Sequence, residues 1–164
     1  MAEQAKIVAV LVSNPALSSI LSMVLASVPT LRVRPFESQL ALTTYMRLAP
    51  VDLIVSDFDN ETAPADKVAR ELRSDRALER RSFQVIALAS TVTAETKRAS
   101  ISAGIDEIIV KPMSPKYLLE RVLARLQRPG HVAPLSGPPL AAAIPPRASN
   151  VIPLFRYRPQ PLHH

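Results

Sequence analysis

Five short aliphatic runs, each followed by apolar residues at helical spacing, constrain this chain more than any other feature. Lys6–Val12 (KIVAVLV), Val51–Ser56 (VDLIVS), Phe83–Ala89 (FQVIALA) and Glu107–Val110 (EIIV) are continuous rather than alternating runs. Continuous apolarity suits strands buried on both faces of a parallel sheet. Leu31–Phe36 (LRVRPF) alternates and contains Pro35, which places it at a sheet edge. Between the runs, Asn14 and Pro15 form an N-cap and first helical residue ahead of Leu17, Ile20, Leu21, Val24 and Leu25. Further helices are predicted over 39–48, over Ala65–Arg73 with Val68 and Leu72 on one side, and from about Ala94 to a left-handed stop at Gly104. Ser114 and Pro115 open a last helix whose apolar face is Leu118, Leu119, Val122, Leu123 and Leu126. This is a (βα)5 pattern, and helical crossovers between strands require a parallel α/β sheet covered on both faces.

Composition excludes several chemistries. The chain has 164 residues, enough for one core, but only 4% aromatics and no Trp, so that core is aliphatic. The absence of Cys excludes a disulfide framework, a thiol nucleophile and a cysteine zinc site. Only three glycines exist and none follows the first strand, so no Gly-rich phosphate loop is present. Ser13 and Ser90 have no histidine within the strand–helix region to activate them, because His131, His163 and His164 all lie beyond it. No apolar stretch reaches the roughly 18–20 residues of a membrane span. The first residues lack a secretory leader pattern. A cytoplasmic protein that is not an enzyme is expected.

A compositional break divides the chain into a domain over 1–127 and a tail over 128–164. Nine of the sixteen prolines fall in the tail, as do Arg128, Arg147, Arg156 and Arg158 with no acidic residue. The net charge of +6 therefore leaves +2 on the domain, too little to mark a nucleic-acid-binding face. Proline removes donors and breaks regular structure, so the tail is expected to be flexible, basic and disordered. Within it Asn150–Arg158 (NVIPLFRYR) concentrates apolar, aromatic and Arg residues. That segment has three open readings: a docking motif, a segment that folds back on its own domain, or a stretch with no role.

In parallel sheets, chemistry gathers at the carboxyl ends of the strands. Asp57 ends the third strand, and Lys111, followed by Pro112, ends the fifth. They form either a structural ion pair or a carboxylate with a cation that orients a phosphoryl group on it. Asp59, Glu61 and Asp66 read as a solvated acidic loop.

Val51–Asp57, the segment Ser102–Pro112 (SAGIDEIIVKP) and the order of elements over 6–127 resemble the response-regulator receiver domains of bacterial two-component signalling. The resemblance implies a flavodoxin-like sheet of order 2-1-3-4-5, Asp57 as phospho-acceptor and Lys111 as the phosphoryl-orienting cation. It sets Ala89, Ser90 and Ile108 at the switch positions. Val12 and Ser13 stand where such domains carry their acidic metal-binding pair. This leaves Asp57 and Asp59 as weak Mg²⁺ candidates, no confident metal site and no expected cofactor. The implied partners are a histidine kinase or phosphotransfer protein and a downstream regulatory protein. No DNA-binding domain and no membrane contact are expected. A homodimer through the fourth helix, fifth strand and fifth helix is admitted. A pseudo-receiver that signals without phosphorylation is the alternative.

Overall fold

The computed structural model describes residues 4–127 and 151–153. Chain order is β1 (Lys6–Leu11), α1 (Pro15–Ala26), β2 (Leu31–Pro35), α2 (Gln39–Leu48), β3 (Leu53–Asp57), α3 (Ala65–Ser74), β4 (Gln84–Ala89), α4 (Ala94–Ala103), β5 (Glu107–Val110), α5 (Pro115–Gln127) and β6 (Val151–Pro153). Strands one to five are parallel, in the order β2-β1-β3-β4-β5.

The aliphatic runs build the core by alternation. Ala9, Leu11, Ile54, Val85, Ala87, Ala89 and Ile108 point to one face, where they meet Leu42 and Met46 of α2 and Val68 and Leu72 of α3. Val8, Val10, Leu53, Val55, Ile86, Leu88 and Ile109 point to the other, against Leu21 and Leu25 of α1 and Leu118 and Val122 of α5. Each fully buried aliphatic side chain contributes about 1.5–3 kcal/mol relative to exposure. With nearly no aromatic core residues, the fold rests on many such increments.

The helix signals act where expected. Asn14 Oδ1 accepts the Leu17 N–H at 3.1 Å, and Ser114 Oγ accepts that of Tyr117 at 3.0 Å. Gly104 ends α4 with φ +81°, in the left-handed region. Arg73 closes the bottom of the sheet beneath it. Its guanidinium donates to the carbonyls of Phe83 and Gly104 at 2.6 and 2.8 Å and lies 4.2 Å from the centre of the Phe83 ring.

Two features go beyond the pattern. Glu107 opens β5 yet is fully buried, and Arg121 and Arg125 of α5 both donate to its carboxylate. Two guanidiniums satisfying one carboxylate make this burial tolerable. The second feature is β6, which pairs antiparallel with β5 through Ile109↔Val151, Ile108↔Ile152 and Glu107↔Pro153. The tail was expected to lack structure. At Val151–Pro153 it instead adds a strand, because β5 would otherwise leave a row of unpaired backbone groups at the sheet edge. Of the three readings of Asn150–Arg158, folding back on the domain is the one observed for these three residues. The remaining tail residues, including His131, His163, His164 and the four arginines, lie outside the described residues. At the opposite edge β2 is blunted by exposed Arg32, Arg34 and Pro35.

Candidate functional site

The site forms where β3, β4 and β5 end. Asp57 is the last residue of β3, set opposite Leu88 of β4, and is only 3% exposed. The chain then holds its course, because the Phe58 N–H donates to Leu88 O at 2.8 Å. Lys111 follows β5, anchored by its own N–H on Ala89 O at 2.8 Å, and its peptide bond to Pro112 is cis. These anchors bring the Lys111 ammonium to 3.0 and 3.1 Å from the two oxygens of Asp57. Residues 54 positions apart thus form the pair expected from their places at strand ends.

Asp59 completes the arrangement. Its N–H donates to Asp57 Oδ1 at 2.9 Å, a turn that folds its side chain back over the rim. Its Oδ2 then lies 2.6 Å from Lys111 Nζ. The same oxygen accepts the Ser90 hydroxyl at 2.6 Å and the Ser90 N–H at 3.1 Å. The expectation of a solvated acidic loop is therefore corrected for Asp59, whose side chain is 42% exposed but engaged by three donors. Adjacent opposite charge and donors stabilise a carboxylate, which is why the loop folds inward here. Asp66 pairs with Arg70 one helical turn away, and Glu61 remains exposed.

The electrostatics follow from these contacts. Burial pushes Asp59 up, but hydrogen bonds from Lys111 and Ser90 and the Lys111 charge outweigh it and hold the carboxyl below its usual range. Burial pushes Lys111 down, but Asp59 and Asp57 together raise it above the ordinary lysine value. The ammonium is thus a fixed cation shared between two carboxylates.

Of the switch positions, Ala89 and Ile108 are sealed in the core on the α2–α3 face, and only Ser90 presents a polar group at the rim. Val12 is a buried hydrocarbon and Ser13 an exposed hydroxyl. Among the described residues, no cluster of three or more His, Asp or Glu side chains is placed to hold a metal ion. The carboxylate oxygens that Asp57 and Asp59 would offer are engaged by Lys111 and Ser90. Mg²⁺ takes one or two carboxylates beside several waters, so Asp57 and Asp59 are the residues that would hold it, and each would have to share oxygens now engaged by Lys111 and Ser90. An open groove of about 460 Å³ lies beside the site, lined by Leu17, Ser90, Lys111, Pro112 and Met113. A second hollow, of about 440 Å³, lies between α2 and α3, away from the rim. Two of its wall contacts are already made, Arg47 with Asp75 at 2.9 Å and Gln39 with Glu71.

No protein-family model and no curated protein matches the chain. Solved structures do. HP1043, an orphan response regulator of H. pylori, superposes with a TM-score of 0.64 at 21% identity, over 77% of this chain and 100% of that one. The chemotaxis protein CheY4 of Vibrio cholerae gives 0.65 at 20% identity, over 74% and 98%. The BeF3-activated receiver domain of DrrB gives 0.63 at 22% identity, over 77% and 100%. This chain has the receiver-domain fold. The similarity spans the five parallel strands and five helices. Asp57 and Lys111 stand at the strand ends where the sequence placed them. The Asp59–Ser90 contact had no signal in the sequence beyond the presence of an acid two residues after Asp57, since its partner comes from another strand.

No helix among the described residues is long and apolar enough to cross a membrane.

Proposed function

We propose that this chain is a response regulator of two-component signalling, built on a single atypical receiver domain that acts by protein–protein contact rather than by catalysis. Asp57 is its phospho-acceptor and Lys111 its phosphoryl-orienting residue. The observation that carries this reading is the bidentate Asp57–Lys111 pair at the carboxyl ends of β3 and β5. A carboxylate at that rim can take a phosphoryl group, and an ammonium beside it offsets the charge that develops on the transferred oxygens. Charge neutralisation at this site falls to Lys111, with Ser90 as a hydrogen-bond donor, and no step is assigned to a metal. The proposed partners are a histidine kinase or phosphotransfer protein that faces the rim, and a cytoplasmic regulatory protein that reads the flanks of β5 on α4 and α5. Because β6 covers the β5 edge, a homodimer through that edge requires β6 to leave.

One observation favours a second reading, a pseudo-receiver that signals without phosphorylation. Asp59 already engages both Lys111 and Ser90, the groups an incoming phosphoryl oxygen would need. Incubation with a small-molecule phosphodonor, with and without Mg²⁺, followed by intact-mass measurement, tests the choice. One added phosphoryl group, absent in Asp57→Asn, supports the acceptor reading. An unmodified protein under both conditions supports the second.

A further inference from the structure

We propose that Asp59 is a built-in anionic ligand, a latch whose carboxylate fills the oxyanion position of this site and excludes external anions from it. The inference rests on the proposed reading in one respect only, that the rim around Asp57 and Lys111 is the working site.

Three donors converge on one oxygen. Lys111 Nζ at 2.6 Å, Ser90 Oγ at 2.6 Å and Ser90 N at 3.1 Å all meet Asp59 Oδ2. A cation, a hydroxyl and a backbone amide grouped in this way form a receptor for one oxygen of a tetrahedral oxyanion. Here the receptor takes an oxygen from its own chain. The latch is short and local: the Asp59 N–H is fixed on Asp57 Oδ1 at 2.9 Å, so the side chain needs no loop rearrangement to reach its donors. An attached carboxylate competes at high effective concentration, and an external anion must displace it before reaching Lys111. Its side chain is also the most exposed of the three charged groups in the cluster, at 42% against 18% for Lys111 and 3% for Asp57. It is therefore the group that can swing outward without disturbing the core. Ser90 is exposed at the start of the loop after β4, so the latch ties that loop to the site through one hydrogen-bonded side chain.

The test is titration of the full chain with inorganic phosphate, read by the backbone amide shifts of Ser90 and Lys111. Wild type, Asp59→Ala, Asp59→Asn and Glu61→Ala are compared. Asp59→Ala should bind phosphate at least tenfold more tightly than wild type. Asp59→Asn should fall between them, since an amide can still accept from Ser90 but does not neutralise Lys111. Glu61→Ala removes an equal charge from the same loop and should shift affinity less than threefold, which separates a latch from general repulsion. Lys111→Ala in the Asp59→Ala background should abolish the gain. Equal affinities in wild type and Asp59→Ala, an equal gain in Glu61→Ala, or no saturable binding to Asp59→Ala would each overturn the latch. Phosphate binding does not require Asp57 to be modified, so the latch can stand where phosphorylation fails. Conversely, phosphorylation as fast in wild type as in Asp59→Ala sustains the acceptor and sinks the latch.

Discussion

The Lys111 ammonium lies nearer to Asp59, at 2.6 Å, than to Asp57, whose oxygens stand at 3.0 and 3.1 Å. One cation therefore serves a buried carboxylate and a half-exposed one, and the two depend on it unequally. Asp57 is shielded from water and has Lys111 as its neutralising charge, whereas Asp59 can fall back on solvent.

Removing the cation should accordingly expose this inequality. Lys111→Met is expected to destabilise the fold by about 3–5 kcal/mol, because it leaves the buried Asp57 without its partner. Asp57→Asn in the same chain should recover part of that loss. A double-mutant cycle by urea unfolding measures the coupling, and additive losses would show that the pair carries no joint stabilisation.

Ser56 precedes Asp57 and is fully buried, with a hydroxyl that has no hydrogen-bond partner. An unsatisfied buried hydroxyl is a net cost. Ser56→Ala should therefore be neutral or stabilising by up to about 1 kcal/mol in thermal or urea unfolding. A clear loss of stability would mean that the hydroxyl is satisfied in solution.

At Gly104, φ is +81° and an added Cβ would meet Arg73 Nε at 3.0 Å. Arg73 has little room to retreat, since its guanidinium is held by the Phe83 and Gly104 carbonyls. Gly104→Ala should cost about 1–2 kcal/mol, through backbone strain as much as through crowding. Equal unfolding midpoints for the two proteins would refute it.

Asp75 joins the end of α3 to α2. It accepts the Ala77 N–H at 2.9 Å and two bonds from Arg47 at 2.9 and 3.0 Å. The Ala77 amide first, and then Arg47, hold its carboxyl below the ordinary aspartate range. A group depressed in the folded state stabilises above its unfolded pKa, and that contribution is lost as pH falls through the folded value. Asp75→Asn should thus be less stable than wild type at neutral pH, with the difference closing below about pH 4. A constant difference across acid titrations of the urea midpoint would exclude this origin.

Truncation after Gln127 removes the strand that pairs with β5 and leaves the outer backbone groups of Ile108 and Ile109 without it. An uncovered edge invites pairing with another chain. The truncated protein should self-associate with concentration in analytical ultracentrifugation, and the full chain should do so far less. Identical sedimentation of the two would remove any capping role from β6.

Much of this protein is written locally. Continuous aliphatic runs, Asn14 and Ser114 as caps and Gly104 as a stop determine five strands, five helices and a parallel order, because burial on two faces and short crossovers admit few other arrangements. The meeting of Asp57 with Lys111 was legible too, since both stand at strand ends on one rim. Other contacts were decided only in three dimensions. Glu107 reads as one acid beside a run of apolar residues, and its two arginines arrive from a helix 14 and 18 positions on. Asp59 reads as a loop acid, and becomes a ligand because β4 delivers Ser90 and β5 delivers Lys111 to the same oxygen. Val151–Pro153 sits in a proline-rich tract with no strand signal of its own, and becomes a strand because β5 supplies the partner. Hydrophobic pattern is a property of neighbours in sequence. The pairing of charges and the closing of a sheet edge belong to neighbours in space, and no local signal carries them.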